Sequence, residues 1–191
     1  MKLKTILALA LPLLLTSCNP TLFDLQSAKM LGAGQLEFSA YTVGLNLGIG
    51  LTNNLDLNVS VTNDGDITDH LKLNVVTLAP KFNLYDNKAA LYIPISRISA
   101  EDITFFQPTI LFTNSLNRDI DFTVAPKCVI TIDNFNRMNL MYGVSSNFSF
   151  HLPKTPLSIR TGFGGVLSQQ VINNNRLFLD ANIGLVFNMN Q

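Results

Sequence analysis

The chemistry open to this chain is limited by its inventory: two histidines, two cysteines, and thirteen acidic against thirteen basic side chains in 191 residues. His70 and His151 with Cys18 and Cys128 stand at no spacing that assembles a zinc site, so no metal or other cofactor is expected. Two cysteines cannot build a disulfide framework either. Hydrolysis by a nucleophile would need a serine with a histidine and an acid in reach, and no GxSxG stretch presents one. His151 falls beside the turn-forming run from Leu152 to Thr155, and His70 opens a strand at the opposite rim. Both read as polar rim residues, and no enzyme is expected. Gly162-Phe163-Gly164-Gly165 lacks the strand-to-helix setting of a phosphate loop and reads as small inward residues.

What remains is charge. Glu37, Asp56, Asp121 and Asp180 share the polar parity of alternating segments with Lys72, Lys81, Lys127 and Arg160. Acids and bases in equal number on one face predict an ionic network that fills an interior. Buried charges are tolerable only when they pair, because an isolated one costs several kcal/mol. A solute path would show an excess of one sign instead.

The elements that must position these residues are strands. After Gly34 apolar and polar residues alternate with period two, and successive strand side chains point to opposite faces. Ile120, Phe122, Val124, Pro126, Cys128, Ile130 and Ile132 alternate with Asp121, Thr123, Lys127 and Thr131; near the C-terminus Leu177 to Met189 repeats the pattern. Ten strands are predicted, at 35–40, 43–51, 55–62, 70–85, 89–98, 103–116, 120–132, 137–151, 157–168 and 177–189. Short turns at Thr52-Asn53-Asn54, Asp86-Asn87-Lys88, Asn117-Arg118-Asp119 and 152–155 alternate with longer connections at 63–69, 99–102, 133–136 and 169–176. The first hairpin is expected to close through a two-residue loop at Tyr41-Thr42.

An even strand count with short turns at one end and longer loops at the other predicts an all-β, antiparallel transmembrane β-barrel of about ten strands, an up-and-down meander over residues 34–191. A closed barrel leaves no unpaired edge in hydrocarbon. Phe82, Tyr85, Phe122, Phe148, Phe150 and Phe187 gather toward the short-turn ends, where an aromatic girdle would sit. The competing reading is a soluble sandwich or lipocalin-like barrel with its apolar face inside. Its outer face would carry many charges, whereas here the polar face is mostly Asn, Ser, Thr and Gly.

Composition agrees. Hydrophobic residues make up 47% and charged residues 14%, with zero net charge and a mean hydropathy of +0.27. No basic stripe exists to neutralise phosphates, so nucleic acid is excluded as a partner. No apolar run reaches the roughly 20 residues of a membrane-spanning helix. Lys2 and Lys4 precede an apolar run from Ile6 to Leu15, the form of a secretory signal. It ends Leu15-Thr16-Ser17-Cys18, which resembles a bacterial lipobox. Residues 1–17 are therefore expected to be a lipoprotein signal peptide, Cys18 the lipid attachment site, and 18–33 a lipidated tether.

Prolines recur in mid-strand: Leu78-Ala79-Pro80-Lys81-Phe82, Val124-Ala125-Pro126-Lys127-Cys128 and, more loosely, Phe106-Gln107-Pro108-Thr109-Ile110. Proline cannot donate to a ladder, so bulges or bends are expected there. A switch of apolar parity adds an expected irregularity near Val75-Val76, and another lies between Phe105 and Phe106. With Gln26-Ser27-Ala28-Lys29-Met30-Leu31-Gly32 and Ala89 to Pro94, these stretches resemble a group of outer-membrane β-barrel lipoproteins of Bacteroidetes-like bacteria. The resemblance implies an envelope barrel of unassigned function, with outer-membrane lipids around it, no catalytic residues to carry over, and protein partners unknown. The first hairpin and the lack of Trp depart from that pattern. The expected function is a structural or accessory envelope barrel with a polar, plugged interior; the alternatives are a narrow channel for small solutes and a periplasmic lipid-binding β-lipoprotein.

Overall fold

The computed structural model describes residues 25–42, 44–63, 73–98, 103–135, 137–168 and 176–189. Twelve strands form one antiparallel sheet: β1 (Leu36–Tyr41), β2 (Gly44–Thr52), β3 (Leu55–Asn63), β4 (Leu73–Tyr85), β5 (Ala89–Tyr92), β6 (Ile95–Ile98), β7 (Ile103–Phe106), β8 (Thr109–Ser115), β9 (Ile120–Ile132), β10 (Met138–His151), β11 (Leu157–Ser168) and β12 (Arg176–Met189). β5 and β6 follow one another along β4, and β7 and β8 along β9, so each pair is one stave of the wall. The result is ten staves in sequence order, closed by β12 pairing with β1. The four short turns expected at 52–54, 86–88, 117–119 and 152–155 stand between the strands expected to flank them, while 64–72, 99–102 and 169–175 lie outside the described residues. The first hairpin sits one residue later than expected: Tyr41 still pairs with Gly44 and with Gly184, so the loop is 42–43. Tyr41 belongs to the inward parity, and its ring occupies the space that a side chain at Gly184 would need.

The irregularity expected near Val75-Val76 is present beside it, where Thr62 pairs with Val75 and Asn63 with Leu73, and from Val75 to Leu78 buried and exposed residues alternate without a break. The proline expectation is met only as an interruption at Gln107-Pro108 between β7 and β8. Across Pro80, Pro108 and Pro126 the register also holds. Pro80 and Pro108 still accept, from the amides of Ile93 and Cys128 at 3.0 Å, and each proline removes only its own donor. The apolar parity switches have another cause. Val75, Ile98, Phe105, Val129, Met141 and Val166 all face inward and form one buried cluster toward the long-loop end. There the interior itself is apolar, so the sequence shows hydrophobic residues on both parities.

Elsewhere the apolar side faces out. Phe38, Leu45, Leu78, Phe82, Val144, Phe163, Leu179 and Leu185 are all exposed, while Glu37, Asp56, Lys81, Asp121, Asn147 and Arg160 are buried. This inverts a water-soluble barrel. The aromatic rings lie outside near the short-turn end, with Phe122 and Phe148 paired across β9 and β10 at 4.8 Å between centroids and Phe150 next at 6.2 Å.

Candidate functional site

The interior is built around a stretch of chain. Residues 25–33, expected as part of a tether, enter the barrel at its short-turn end. The amide of Gly34 donates to the carbonyl of Gly50 at 2.8 Å, and Gly32 and Gly34 both adopt left-handed φ values of 87° and 78°. That conformation is open to glycine at little cost, and it turns the chain from the interior into β1. Above it the segment climbs the inside of the wall. Leu25, Gln26, Ser27 and Ala28 are at most 6% exposed. Ala28 packs into a cluster with Ala79, Ala90, Tyr92, Leu111 and Ala125.

Inward glycines make the room. A β-carbon on Gly50 would meet the carbonyl oxygen of Gly32, and one on Gly162 would lie 2.7 Å from Leu25 Cδ2. A β-carbon on Gly48 would come 3.1 Å from Leu31 Cδ1. Gly50 thus makes room for the backbone of the segment, and Gly48 and Gly162, the latter from the run noticed in the sequence, for its Leu31 and Leu25 side chains.

The charged residues hold that backbone. Lys81 Nζ lies 2.9 Å from Asp56 Oδ2, with both side chains at most 4% exposed. The same ammonium donates to the carbonyl of Lys29 at 2.7 Å and to that of Ser27 at 3.4 Å. Asp56 in turn accepts from the amide of Leu31 at 3.1 Å. Arg160 grips Glu37 with two parallel bonds, Nη1 to Oε1 at 2.9 Å and Nη2 to Oε2 at 2.8 Å, and Nη1 also donates to the carbonyl of Leu25 at 3.3 Å. Such a fork is the stronger form of a buried pair. Thr113 Oγ1 accepts from the amide of Ala28 at 2.8 Å, and Asn147 Nδ2 donates to the carbonyl of Gln26 at 2.9 Å.

Asp121 anchors the lower end. It receives Lys29 Nζ at 2.8 Å, Ser115 Oγ at 2.7 Å and His151 Nε2 at 2.7 Å, while His151 Nδ1 lies 2.9 Å from Ser158 Oγ. Serine, histidine and aspartate therefore stand in hydrogen-bonded order, an arrangement spread over β9, β10 and β11 that no linear motif reveals. Its setting is that of a fastening. Ser158 is 3% exposed, and Asp121 is already engaged by Lys29 from the threaded segment. A cavity of about 130 Å³ lies beside it, lined by Lys29, Leu31, Glu37, Asp121, Ser149, His151 and Arg160 among others, but not by Ser158.

Of the eight charged residues named from the sequence, Glu37, Asp56, Lys81, Asp121, Lys127 and Arg160 are all buried on the inward face. Lys127 lies three inward positions above Asp121 on β9. Asp180 belongs to β12, with only its backbone described; Lys72 and the lipid-attachment candidate Cys18 lie outside the described residues, as does His70. Sequence reasoning misses Lys29, because it precedes the alternating region, and the segment around it. Among the described residues no three metal-ligating side chains come together.

No family model matches this chain, and no curated protein does. Among solved structures it is similar to the NanC porin, with 10% identity over 82% of this chain and 100% of that one and a TM-score of 0.49. It is similar to a de novo designed transmembrane β-barrel, with 13% identity over 82% of this chain and 96% of the other and a TM-score of 0.39. A third likeness is to the N-terminal β-barrel domain of Pseudomonas aeruginosa OprF, with 12% identity, 81% and 94% covered and a TM-score of 0.32.

Proposed function

We propose that this chain is an outer-membrane β-barrel lipoprotein with a structural or accessory role in the envelope, closed by its own N-terminal segment. The observation that carries the reading is the pairing of an apolar exterior with an interior whose charges bind a threaded backbone. An apolar outer face suits hydrocarbon, and joining β12 to β1 pairs the two terminal strands of the sheet with one another. Inside, Lys81 and Asp56, Arg160 and Glu37, and Lys29 and Asp121 compensate one another. An interior balanced in this way offers no ion a preferred sign, and residues 25–31 occupy the space that a solute would use. Ten staves enclose far less room than the 16–18 of porins.

In this reading Cys18 is diacylated and begins the mature protein, outer-membrane lipids surround the barrel, and no reaction is catalysed. The localisation and the anchor are tested together by intact-mass analysis of protein extracted from outer-membrane fractions. The expected result is a mature N-terminus at Cys18 carrying acyl mass and extraction only with detergent. A mature N-terminus elsewhere removes the lipoprotein claim. Solubility without detergent removes the membrane barrel and favours a periplasmic lipid-binding protein.

A further inference from the structure

The cavity of about 130 Å³ beside Asp121 lies between the threaded segment and the wall, at the short-turn end. A single water needs roughly 10–15 Å³ of such space, so a small ion fits with room to spare. Its lining comes from both sides: Lys29 from the segment, and Asp121, Ser149 and Arg160 from β9, β10 and β11. Ser149 pairs with Asp121 on one side and with Arg160 on the other, so these inward residues stand abreast on three staves. The side chains of Lys29 and His151 are 44% and 35% exposed, which marks the mouth of the cavity.

Donors and acceptors around this space do not balance. Glu37 already accepts from both terminal nitrogens of Arg160 and from the hydroxyl of Ser39. Asp121 already accepts from Lys29, Ser115 and His151. Donors are left over. Ser149 Oγ and Arg160 Nε have no hydrogen-bond partner, although the two residues are only 1% and 6% exposed. Lys29 Nζ carries three N–H groups, and among the described residues it reaches only Asp121. Buried donors without partners are destabilising, so acceptors from outside the chain are expected here.

Unused donors on three separate elements call for a ligand with several acceptor oxygens in different directions. A phosphate group has that form, and its charge strengthens hydrogen bonds from an ammonium and a guanidinium. A carboxylate offers fewer oxygens than the site can engage. A cation fits worse: it would compete for carboxylates that are already engaged, and among the described residues no three metal-ligating side chains come together. The negative charges of Glu37 and Asp121 are each offset by a cation 2.8 Å away.

We propose that this cavity binds a phosphate group, held by Lys29 Nζ, Ser149 Oγ and Arg160 Nε. The bound group joins the threaded segment to the wall and so tightens the closure at the short-turn end. Free phosphate and the headgroup of a lipid at the rim present the same chemistry to these donors. The site rests on the threaded segment and is independent of the lipoprotein reading.

Titration calorimetry at constant ionic strength tests it on the full-length protein in maltoside micelles, which contain no phosphate. Inorganic phosphate, or phosphatidic acid doped into the micelles, should bind saturably with one site per chain. Ser149→Ala removes a hydroxyl that bonds to nothing in the protein, so the fold should persist. Its affinity should fall about tenfold, the loss expected for one hydrogen bond to a charged group. Lys29→Gln should weaken binding at least as much. Unchanged affinity in Ser149→Ala, or no saturable binding of either probe, overturns the proposal. The two probes separate the sources: phosphatidic acid that binds, alone or in competition with inorganic phosphate, identifies a lipid headgroup, and binding of inorganic phosphate alone identifies the free ion.

Discussion

Lys81→Met is the most informative single perturbation of the interior. It removes the ammonium 2.9 Å from Asp56 and leaves that carboxylate, 0% exposed as a side chain, accepting from the amide of Leu31 without its cation. Removing one partner of a buried pair costs about 3–5 kcal/mol, because the other charge stays buried without compensation. At about 1.4 kcal/mol per decade this is roughly two to three and a half powers of ten in the folded-to-unfolded ratio. Methionine keeps the length of the aliphatic stem, so the cost reflects charge more than lost volume. The carbonyls of Ser27 and Lys29 lose a donor in the same step, which loosens the threaded segment as well. Adding Asp56→Asn, which keeps an acceptor for Leu31, should recover a large part of the loss. Denaturant unfolding in phospholipid vesicles measures this by linear extrapolation, followed by far-UV circular dichroism since the chain has no Trp. A Lys81→Met protein within about 1 kcal/mol of the parent, or a double variant as unstable as the summed singles, would refute the pairing argument.

Other outcomes follow from the same geometry. Arginine at outward Val144 or Ile183, exposed by 51% and 40%, should cost about 2–4 kcal/mol near the bilayer midplane, measured by the same vesicle unfolding; equal tolerance at both sites would contradict a lipid-facing wall. Gly162→Val should push against Leu25 and the carbonyl of Ser146, at a cost of about 1–3 kcal/mol, and should speed thiol labelling of an Ala28→Cys reporter; unchanged labelling would show that Leu25 does not depend on that space. Between β9 and β10, the Asp133 carboxyl is held below its ordinary 3.8 by the amide of Arg137 first and by the Arg137 side chain and the amide of Phe135 after it. A depressed value means that the loop's bonds survive as pH falls past the ordinary carboxylate range and are lost only below it, which amide shifts of Phe135 and Arg137 would report; loss at the ordinary value would contradict it.

The wall was legible because a strand's period of two is written directly into residue order. Asp121, Thr123, Ala125 and Lys127 face in and Phe122, Val124, Pro126 and Cys128 face out, as alternation alone requires. The same parity found the buried charges. It failed where the interior stops being polar: Val75 and Phe105 are apolar and inward, and a rule that equates apolar with outward reads them as a break in the strand. The threaded segment was illegible for a different reason. Gln26, Ser27 and Ala28 have no period of their own, and their burial comes from partners 85 to 121 residues away, such as Thr113 and Asn147. The inward glycines were visible, but what they make room for was not. The contacts of Asp121 with Ser115, His151 and Lys29 likewise come from register and threading together.

The central claim is a membrane barrel kept closed by its own N-terminal segment, and planar-bilayer recording on the full mature protein tests it most directly. The paired interior charges and the backbone running through residues 25–31 predict no steady conductance, before and after Lys127→Glu. Steady single-channel conductance from the intact protein, with an ion preference that Lys127→Glu shifts, would contradict the closed interior and establish a narrow channel in its place.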